Sequence, residues 1–410
     1  MKKATSELIS RSELAKQFPI LGQSVNGHPL TYMDTAATAQ RPQAVTDAIV
    51  RFYNQDNANP GQTLHTLARR AYELYEGARR RVAEFIGAKD PLEIVWTRGT
   101  TEAINLVASA WGSANLRAGD ELVLTISEHS SCMLPWQLAA QKARATIQYV
   151  GVKDDGVLDL EHLDRVLSKR TKILCLPHVS NVLGIINPIK EICARARRHN
   201  VKVLVDAAQS APHFAVDVQD LECDFLAFSG HKMMGPMGVG VLWARRELLE
   251  EMPPYQAGSN MAHGVDLTER DYSPGSLKFG AGTPNVADAV GLAAAVEFIQ
   301  KIGRAQLWAH EQAITRRAFE RLSGIKGLRI IGSQPHNRIS LFTFVVDGVP
   351  TEEIVKRLDQ AGIAIRGGDL ASLPLLKRFG TTTAARASLY IYTSTEDVDR
   401  FGDALESIVR

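Results

Sequence analysis

The sequence is poor in the features that mark secreted, membrane or nucleic-acid-binding proteins. Four cysteines stand among 410 residues without the spacing of a metal site, and a chain of this length needs no disulfides. Basic and acidic residues nearly balance, 47 against 45, so no charged stripe or tail points to nucleic acid. No apolar run reaches transmembrane length, and the first residues lack a signal-peptide core. We therefore expect a cytoplasmic protein without nucleic-acid or membrane partners.

What the sequence does contain is an alternation of apolar runs and amphipathic stretches. The runs are continuous, as in strands buried on both faces, and they are residues 121–126, 172–180, 201–208, 224–230 and 238–244. An amphipathic stretch such as 187–200 lies between two of them. This alternation predicts an α/β domain with a mainly parallel sheet.

The pattern changes after about residue 290. A long helical pattern over 286–325 leads into further strand and helix patterns, which predicts a second, smaller α+β domain joined by one long helix. We divide the chain into an N-terminal segment (1–30) that packs with the small domain, a large domain (31–290) and a small C-terminal domain (291–410).

Polar residues follow the predicted strands at the end where α/β sheets bind ligands. These residues are Ser127–His129, Asn181, Asp206, Gln209 and Ser229–Lys232. A further strand leads through Gly99-Thr100-Thr101 into a helix, and free N–H groups at a helix N-terminus form a cup for an anion. Together these groups predict a site with an anion cup, an acid, an imidazole and a lysine on one rim.

Lys232 lies between two apolar runs, where a charged side chain rarely stands without a partner. Each neighbouring signal has an ordinary explanation by itself, since Gly-Thr-Thr is usually a helix cap and Asp206 could be a turn residue. Jointly they match pyridoxal phosphate (PLP), which needs a lysine for a Schiff base, a carboxylate at its pyridine nitrogen and an anion site. The predicted cofactor is therefore PLP, and no metal is expected.

The chain resembles the class V aminotransferase-fold enzymes, and within them the group II cysteine desulfurases and selenocysteine lyases. The matching motifs run nearly end to end: YMDTAATAQRP, WTRGTTEAINLVA, SEHSSCMLPWQ, HVSNVLGIINP, VLVDAAQSAPH, DFLAFSGHKMMGPMGVGVLW, FGAGTPN, GIAIR and ARASLYIYTSTEDVDRF. The resemblance implies the PLP-dependent transferase fold of type I, with a mainly parallel seven-stranded sheet in the large domain and a smaller α+β C-terminal domain.

The resemblance also assigns roles to residues. It implies that Lys232 forms the Schiff base, His129 stacks on the cofactor ring and Asp206 pairs with the pyridinium nitrogen. It implies further cofactor contacts from Thr100, Thr101, Asn181, Gln209, Ser229 and His231. Arg386, with Asn181, would bind the substrate carboxylate, for which a guanidinium fork is suited. Thr283 would reach the phosphate of a neighbouring subunit, which implies a homodimer.

Three departures from the family pattern bear on the reaction. In the desulfurases a Thr-Gly-His-His-Cys loop carries the cysteine that takes the sulfur, whereas the corresponding stretch here is Gly367-Gly368-Asp369-Leu370-Ala371. A methyl group at Ala371 cannot attack sulfur. Pro60 stands where the family has an arginine, and Ser130-Ser131-Cys132 follow the stacking histidine.

These features predict a PLP-dependent lyase that cleaves a C–S or C–Se bond of a small amino acid without the usual persulfide cysteine. Three alternatives stay open: another class V reaction (transamination, epimerisation or decarboxylation), a desulfurase that uses Cys132, and a non-catalytic partner in sulfur metabolism. Cys132 begins a predicted helix, where a thiolate is favoured, although a small packing residue without a chemical task is the commoner explanation. A sulfur-acceptor protein is a candidate partner.

Overall fold

The structure is a computed structural model that describes residues 16–61, 64–332 and 336–409. Residues 1–15 of the predicted N-terminal segment lie outside the described residues. The strands are β1 (Ser24–Val25), β2 (His28–Pro29), β3 (Thr31–Tyr32), β4 (Ile94–Thr97), β5 (Glu121–Thr125), β6 (Thr146–Val150), β7 (Thr171–Pro177), β8 (Lys202–Asp206), β9 (Phe225–Ser229), β10 (Gly240–Ala244), β11 (Ala262–Val265), β12 (Arg270–Tyr272), β13 (Leu328–Ile330), β14 (Leu341–Val346), β15 (Ile363–Ala364), β16 (Arg366–Gly368) and β17 (Ala384–Ser388).

The helices lie mostly between these strands. They are α1 (Gln43–Arg51), α2 (Thr66–Phe85), α3 (Thr100–Ser109), α4 (Trp111–Asn115), α5 (Ser130–Ala143), α6 (Leu160–Val166), α7 (Ile189–Arg197), α8 (Val218–Leu221), α9 (Arg246–Glu251), α10 (Val286–Ile302), α11 (Arg304–Ser323), α12 (Thr351–Gln360), α13 (Leu373–Arg378) and α14 (Thr395–Val409). Short 3₁₀ turns add to them, including one at Gly230–Lys232.

A seven-stranded sheet forms the centre of the large domain. Its strand order is β4–β10–β9–β8–β7–β5–β6, and β5 to β9 run parallel to their neighbours within that group. Strands β5, β9 and β10 are buried along their whole length, which agrees with their uninterrupted apolar sequences. The predicted α/β fold with a mainly parallel sheet is therefore confirmed.

One strand of this sheet differs from the expectation. The run over 238–244 was expected among the parallel strands, but β10 pairs antiparallel with both β9 and β4. The physical reason is the connection between β9 and β10, because about ten residues cannot make the crossover that a parallel neighbour requires.

The long helical pattern over 286–325 is also divided. Helix α10 ends at Ile302 and α11 begins at Arg304, with Gly303 between them at φ 90°. Glycine reaches that conformation without the steric cost that a side chain carries, so the chain can bend there between the two helices. The prediction of one joining helix was wrong in this respect, and α10 spans the predicted domain boundary at 290.

A four-stranded antiparallel sheet, ordered β13–β14–β17–β16, forms the centre of the C-terminal part. The described part of the N-terminal segment lies against this region, because the side-chain amide of Asn26 donates to the carbonyl of Asp359 at 2.7 Å and the Phe18 ring packs on Tyr392. The domain limits themselves stay a prediction. Among the described residues, no helix is both long enough and apolar enough to cross a membrane.

Candidate active site

A pocket lies at the carboxyl ends of the central strands, between the two sheets. Its volume is about 400 Å³, and it brings together most of the predicted site residues. The predicted residues that line it are Thr100, Thr101, His129, Asn181, Asp206, Gln209, Ser229, His231, Lys232 and Arg386. The edge of a parallel sheet explains this gathering, since strand ends far apart in sequence meet there.

The anion cup lies where β4 turns into α3. The N–H of Thr100 donates to the Ser229 hydroxyl at 2.8 Å, and the two hydroxyls lie 2.8 Å apart. A Cβ added to Gly240 would lie 2.4 Å from the Cα of Gly99, so glycine in β10 is what lets the loop before α3 pack directly on the sheet. This close packing places the α3 N-terminus over the pocket, where its N–H groups favour an anion.

Lys232 follows β9 in a 3₁₀ turn and lines the pocket beside the cup. Enclosure lowers the pKa of its ammonium group to about 8, while Asp206 raises this pKa and Arg386 and Arg366 lower it further. At pH 7 roughly a tenth of the amine is therefore unprotonated, far more than for an ordinary lysine. An amine in that state is the form that attacks a carbonyl carbon.

Asp206 ends β8 and is 7% exposed. Its Oδ1 accepts the N–H of Ala208 at 2.9 Å, which fixes the carboxyl group in the wall of the pocket. Burial raises the pKa of this carboxyl, and the charge of Lys232 and the N–H of Ala208 lower it. A buried carboxylate in this position needs a cationic or donating partner, and a protonated pyridine nitrogen supplies one.

His129 is the N-cap residue of α5. The N–H of Ser131 donates to its Nδ1 at 3.1 Å, and the Ser131 hydroxyl lies 2.7 Å from the same atom. These two contacts fix the orientation of the imidazole ring. Burial, followed by the charges of Lys232 and Arg386, lowers the pKa of His129 to about 4, so the ring is neutral. A neutral, fixed aromatic ring is suited to stack on a flat cofactor.

The opposite wall comes from the small sheet. Arg386 on β17 is 3% exposed, and its Nη1 donates to the backbone carbonyl of Asn181 at 3.0 Å. Its Nη2 lies 3.4 Å from a carboxylate oxygen of Asp34. Burial lowers the pKa of Arg386 to about 10, with Asp34 opposing the shift, so the guanidinium stays charged near neutral pH. It can bind a carboxylate that enters the pocket.

The loop between β16 and α13 completes this wall. The N–H of Ser130 donates to the carbonyl of Ala371 at 2.8 Å, and the amide of Asn181 donates to the carbonyl of Leu370 at 2.9 Å. Leu370 and Ala371 both have a φ of 52°, in the left-handed region that side chains disfavour. The loop is therefore held in a strained shape by contacts to α5 and to the segment after β7.

The alternative nucleophile lies outside this pocket. Cys132 is fully buried in the first turn of α5, with its Sγ 2.7 Å from that of Cys175. Burial, then Cys175 and the nearby acids, raises the pKa of Cys132 well above its ordinary value. A protonated thiol that does not reach the pocket cannot attack a bound substrate. The other cysteines, Cys193 and Cys223, are also buried.

Two predicted cofactor residues, Gln209 and Thr283, have contacts outside the pocket. The side chain of Gln209 donates to the carbonyl of Ala36 at 2.8 Å, so it positions a loop as well as lining the pocket. Thr283 is absent from the pocket lining of this one chain, and its hydroxyl accepts from the amide of Asn59 at 3.3 Å on the surface. The predicted role of Thr283 therefore depends on a second subunit.

The pocket region also contains charged residues to which the sequence motifs give no role. Asp34 and Arg366 form a bidentate pair, with Nη2 to Oδ2 at 3.0 Å, and Asp34 also pairs with Arg386. The available signal for Arg366 is the Gly-Ile-Ala-Ile-Arg motif, which ends on that arginine. Asp34 lies in the Tyr-Met-Asp-Thr-Ala-Ala motif, but neither motif indicates that the two residues pair, because their contact depends on the pairing of β3 with β15.

The residues present fit PLP. The cup at α3 suits a phosphate, the buried Asp206 forms no ion pair with the described residues, and Lys232 has a lowered pKa. Fold and site together define a PLP-dependent enzyme of the aminotransferase type. The chain belongs to the aminotransferase class-V family, whose sequence model matches residues 31–401.

Similar proteins agree with this assignment. The chain is 45% identical over 394 residues to a probable cysteine desulfurase of Halalkalibacterium halodurans, covering 96% of this chain and 97% of that protein. Its structure resembles the cysteine desulfurase CsdA of Escherichia coli, with a TM-score of 0.89, 35% identity and 98% of both chains covered. It also resembles a cysteine desulfurase of Thermococcus onnurineus, with a TM-score of 0.93, 34% identity and coverage of 98% and 99%.

These comparisons confirm the predicted resemblance to cysteine desulfurases, the fold and the PLP cofactor. The roles of the individual site residues and the absence of a catalytic cysteine stay predictions.

Proposed function

We propose that this enzyme cleaves the C–S or C–Se bond of a small amino acid and does so without a cysteine nucleophile. The support is the similarity to cysteine desulfurases over nearly the whole chain, together with the residue at the loop position. In the family that position carries the thiol that accepts sulfur, and here it is Ala371, which lines the pocket. The amino acid would enter between the sheet wall and this loop.

The roles of this chain's own residues follow from their geometry. PLP, once bound, supplies an electron sink for the bonds at the substrate's α- and β-carbons. Arg386 binds the α-carboxylate through its guanidinium group, which is already oriented by Asn181 and Asp34. Lys232, with a pKa near 8, accepts and returns a proton at its Nζ. His129 limits the motion of the cofactor ring and excludes water from one face.

One observation carries the proposal: among the described residues, no cysteine lines the pocket. Without a thiol to accept it, the β-substituent must leave without its bonding electron pair, selenium as Se⁰ and a sulfinate as SO₂, while the β-carbon keeps that pair and takes a proton to give alanine. The plain thiol of cysteine leaves poorly as S⁰. A sulfur-acceptor protein is therefore a candidate partner only if the enzyme also passes on sulfur at the S⁰ level.

We also infer a homodimer and a cytoplasmic location. The homodimer is supported by Thr283, which does not line the pocket of its own chain and would reach that of a second copy. The location is supported by four buried free thiols, which a protein in an oxidising compartment seldom keeps.

The experiment uses PLP-loaded protein with L-cysteine, L-cysteine sulfinate and L-selenocysteine in parallel, with a dithiol present to reduce released selenium. Alanine, pyruvate, sulfide, sulfite and selenide are quantified. Alanine from the selenium or sulfinate substrate, with little from cysteine, is the expected result. Alanine with protein-bound persulfide from cysteine, lost in Cys132→Ser, would contradict the proposal. Pyruvate would indicate β-elimination, and no product at all would point to the other class V reactions.

A further inference from the structure

The cations around the pocket are already engaged by groups of the protein. Arg366 donates from Nε and Nη2 to both oxygens of Asp34, at 3.0 to 3.2 Å. Arg386 shares Asp34 and also donates to Asn181. The two positive charges are thus offset by two carboxylates, that of Asp34 and the α-carboxylate that Arg386 would bind, which leaves no net positive charge for the far end of the substrate.

The two imidazoles in the pocket wall do not supply positive charge either. Burial and the neighbouring cations lower the pKa of both His129 and His231 to about 4. Both rings are therefore neutral under ordinary conditions. Lys232 is committed to the cofactor, so an acidic substituent on the substrate's β-carbon would find no cation of its own.

An anion does face that end of the pocket. Asp369 stands in the loop that carries Ala371, and its Oδ1 accepts the N–H of Ala371 at 3.0 Å. It lines the pocket, it is exposed, and it forms no ion pair with the described residues. The contacts of Ser130 and Asn181 to the carbonyls of Ala371 and Leu370 hold the backbone next to this carboxylate in position.

We propose that Asp369 determines specificity: it admits small amino acids whose side chains end in a neutral hydrogen-bond donor and disfavours those that end in an anion. This inference rests on the proposed function, because it concerns the same pocket and narrows its substrates. A thiol or an amide donates a hydrogen bond to the carboxylate, and a selenol does so once it holds its proton, whereas a sulfinate, a much stronger acid, stays ionised and is repelled. Of the two substrates that can react without a thiol, selenocysteine is therefore favoured over cysteine sulfinate.

The test compares the binding of L-asparagine and L-aspartate, which have nearly the same shape and differ in charge at the far end. Equilibrium binding to the PLP-loaded protein is followed by cofactor absorbance, so turnover is not required. In the wild type, asparagine should bind about tenfold more tightly than aspartate at low salt. Added salt should reduce this ratio of the two affinities, because the site opens to solvent.

The decisive variant is Asp369→Asn, which keeps an oxygen for the N–H of Ala371 and removes only the charge. The ratio should fall to about twofold or less in this variant. Asp154→Asn is the matched control, since it removes one exposed carboxylate that pairs with Arg378 at 2.5 Å, away from the pocket lining. It should leave the ratio unchanged.

A ratio near one in the wild type, or a ratio that survives Asp369→Asn, would overturn the inference. Failure of asparagine to bind would overturn it too, because the pocket must then reject a neutral donor. The proposed function fails by a different result, the absence of C–S or C–Se cleavage, which leaves the binding ratio intact. The two failures can therefore be told apart.

Discussion

The two walls of the pocket are built in different ways. The sheet wall presents Lys232, Asp206 and the cup around Thr100, all at strand ends or in the first turn of a helix. The loop wall consists of 367–372, whose two left-handed residues are held by contacts to other segments. The sheet wall matches the family pattern, and the loop wall departs from it. The proposed function therefore assigns cofactor binding to the sheet wall and substrate choice to the loop wall, so that the second could change without the first.

The sharpest test of the sheet wall is Lys232→Ala. Loss of the amine removes both the covalent attachment of the cofactor and the proton carrier, so turnover should fall by at least about 10³-fold. Covalently held cofactor should also be undetectable after borohydride reduction and denaturation. Lys278→Ala is the control, because Lys278 donates to the carbonyl of Glu250 at 2.9 Å and does not line the pocket. Retained turnover in Lys232→Ala would refute the assignment.

The loop wall is tested by restoring the thiol with Ala371→Cys. The new thiol would face the pocket at the position where the family has its nucleophile. Release of alanine from L-cysteine should rise by about tenfold or more, with sulfane sulfur bound to the protein. Ala371→Ser provides a matched side chain without the thiol and should show no gain. If Ala371→Cys accumulated no protein-bound sulfur, position 371 would not be the nucleophile position, and the comparison between the walls would weaken.

The pH dependence of cofactor uptake tests the role of Lys232 in the sheet wall. Lys232 must be neutral to attack the cofactor aldehyde, and its pKa is lowered to about 8. Uptake of PLP by apo-protein should thus be fastest above pH 8 and should fall about tenfold for each pH unit below it. Asp206→Asn removes a charge that raises this pKa, so the midpoint should move to lower pH. A midpoint near the ordinary lysine value would mean that Lys232 is not enclosed as described.

The difference between the walls also decides how much of the site can be predicted from sequence. Strand ends and helix starts carry local signals, so the sequence alone places Asp206, Lys232 and Thr100 on one rim. Asp34 lies in a sequence motif, but its contact with Arg366 has no local signal, because the pairing of β3 with β15 brings the two residues together. The direction of β10 and the bend at Gly303 depend on connection length and tertiary packing, which override periodicity.

The smallest expected effect concerns the strain in the loop. Ala371 has φ 52°, a conformation that costs an L-residue roughly 1–2 kcal/mol and glycine very little. Glycine loses roughly 0.5–1 kcal/mol more conformational entropy on folding. Ala371→Gly should therefore leave the free energy of unfolding unchanged or raise it by about 0.5 kcal/mol. Denaturant midpoints of the PLP-loaded variants measure the change.

The control for this small change is the same substitution in a helix. Ala309 is exposed within α11, so Ala309→Gly should destabilise the protein by about 1 kcal/mol. The sign difference between the two variants matters more than either value, because unfolding of a chain this large need not be two-state. If both glycine variants lost the same stability, the loop would not be strained. The shape of the loop would then be one that its own sequence prefers, without strain imposed by contacts to other segments.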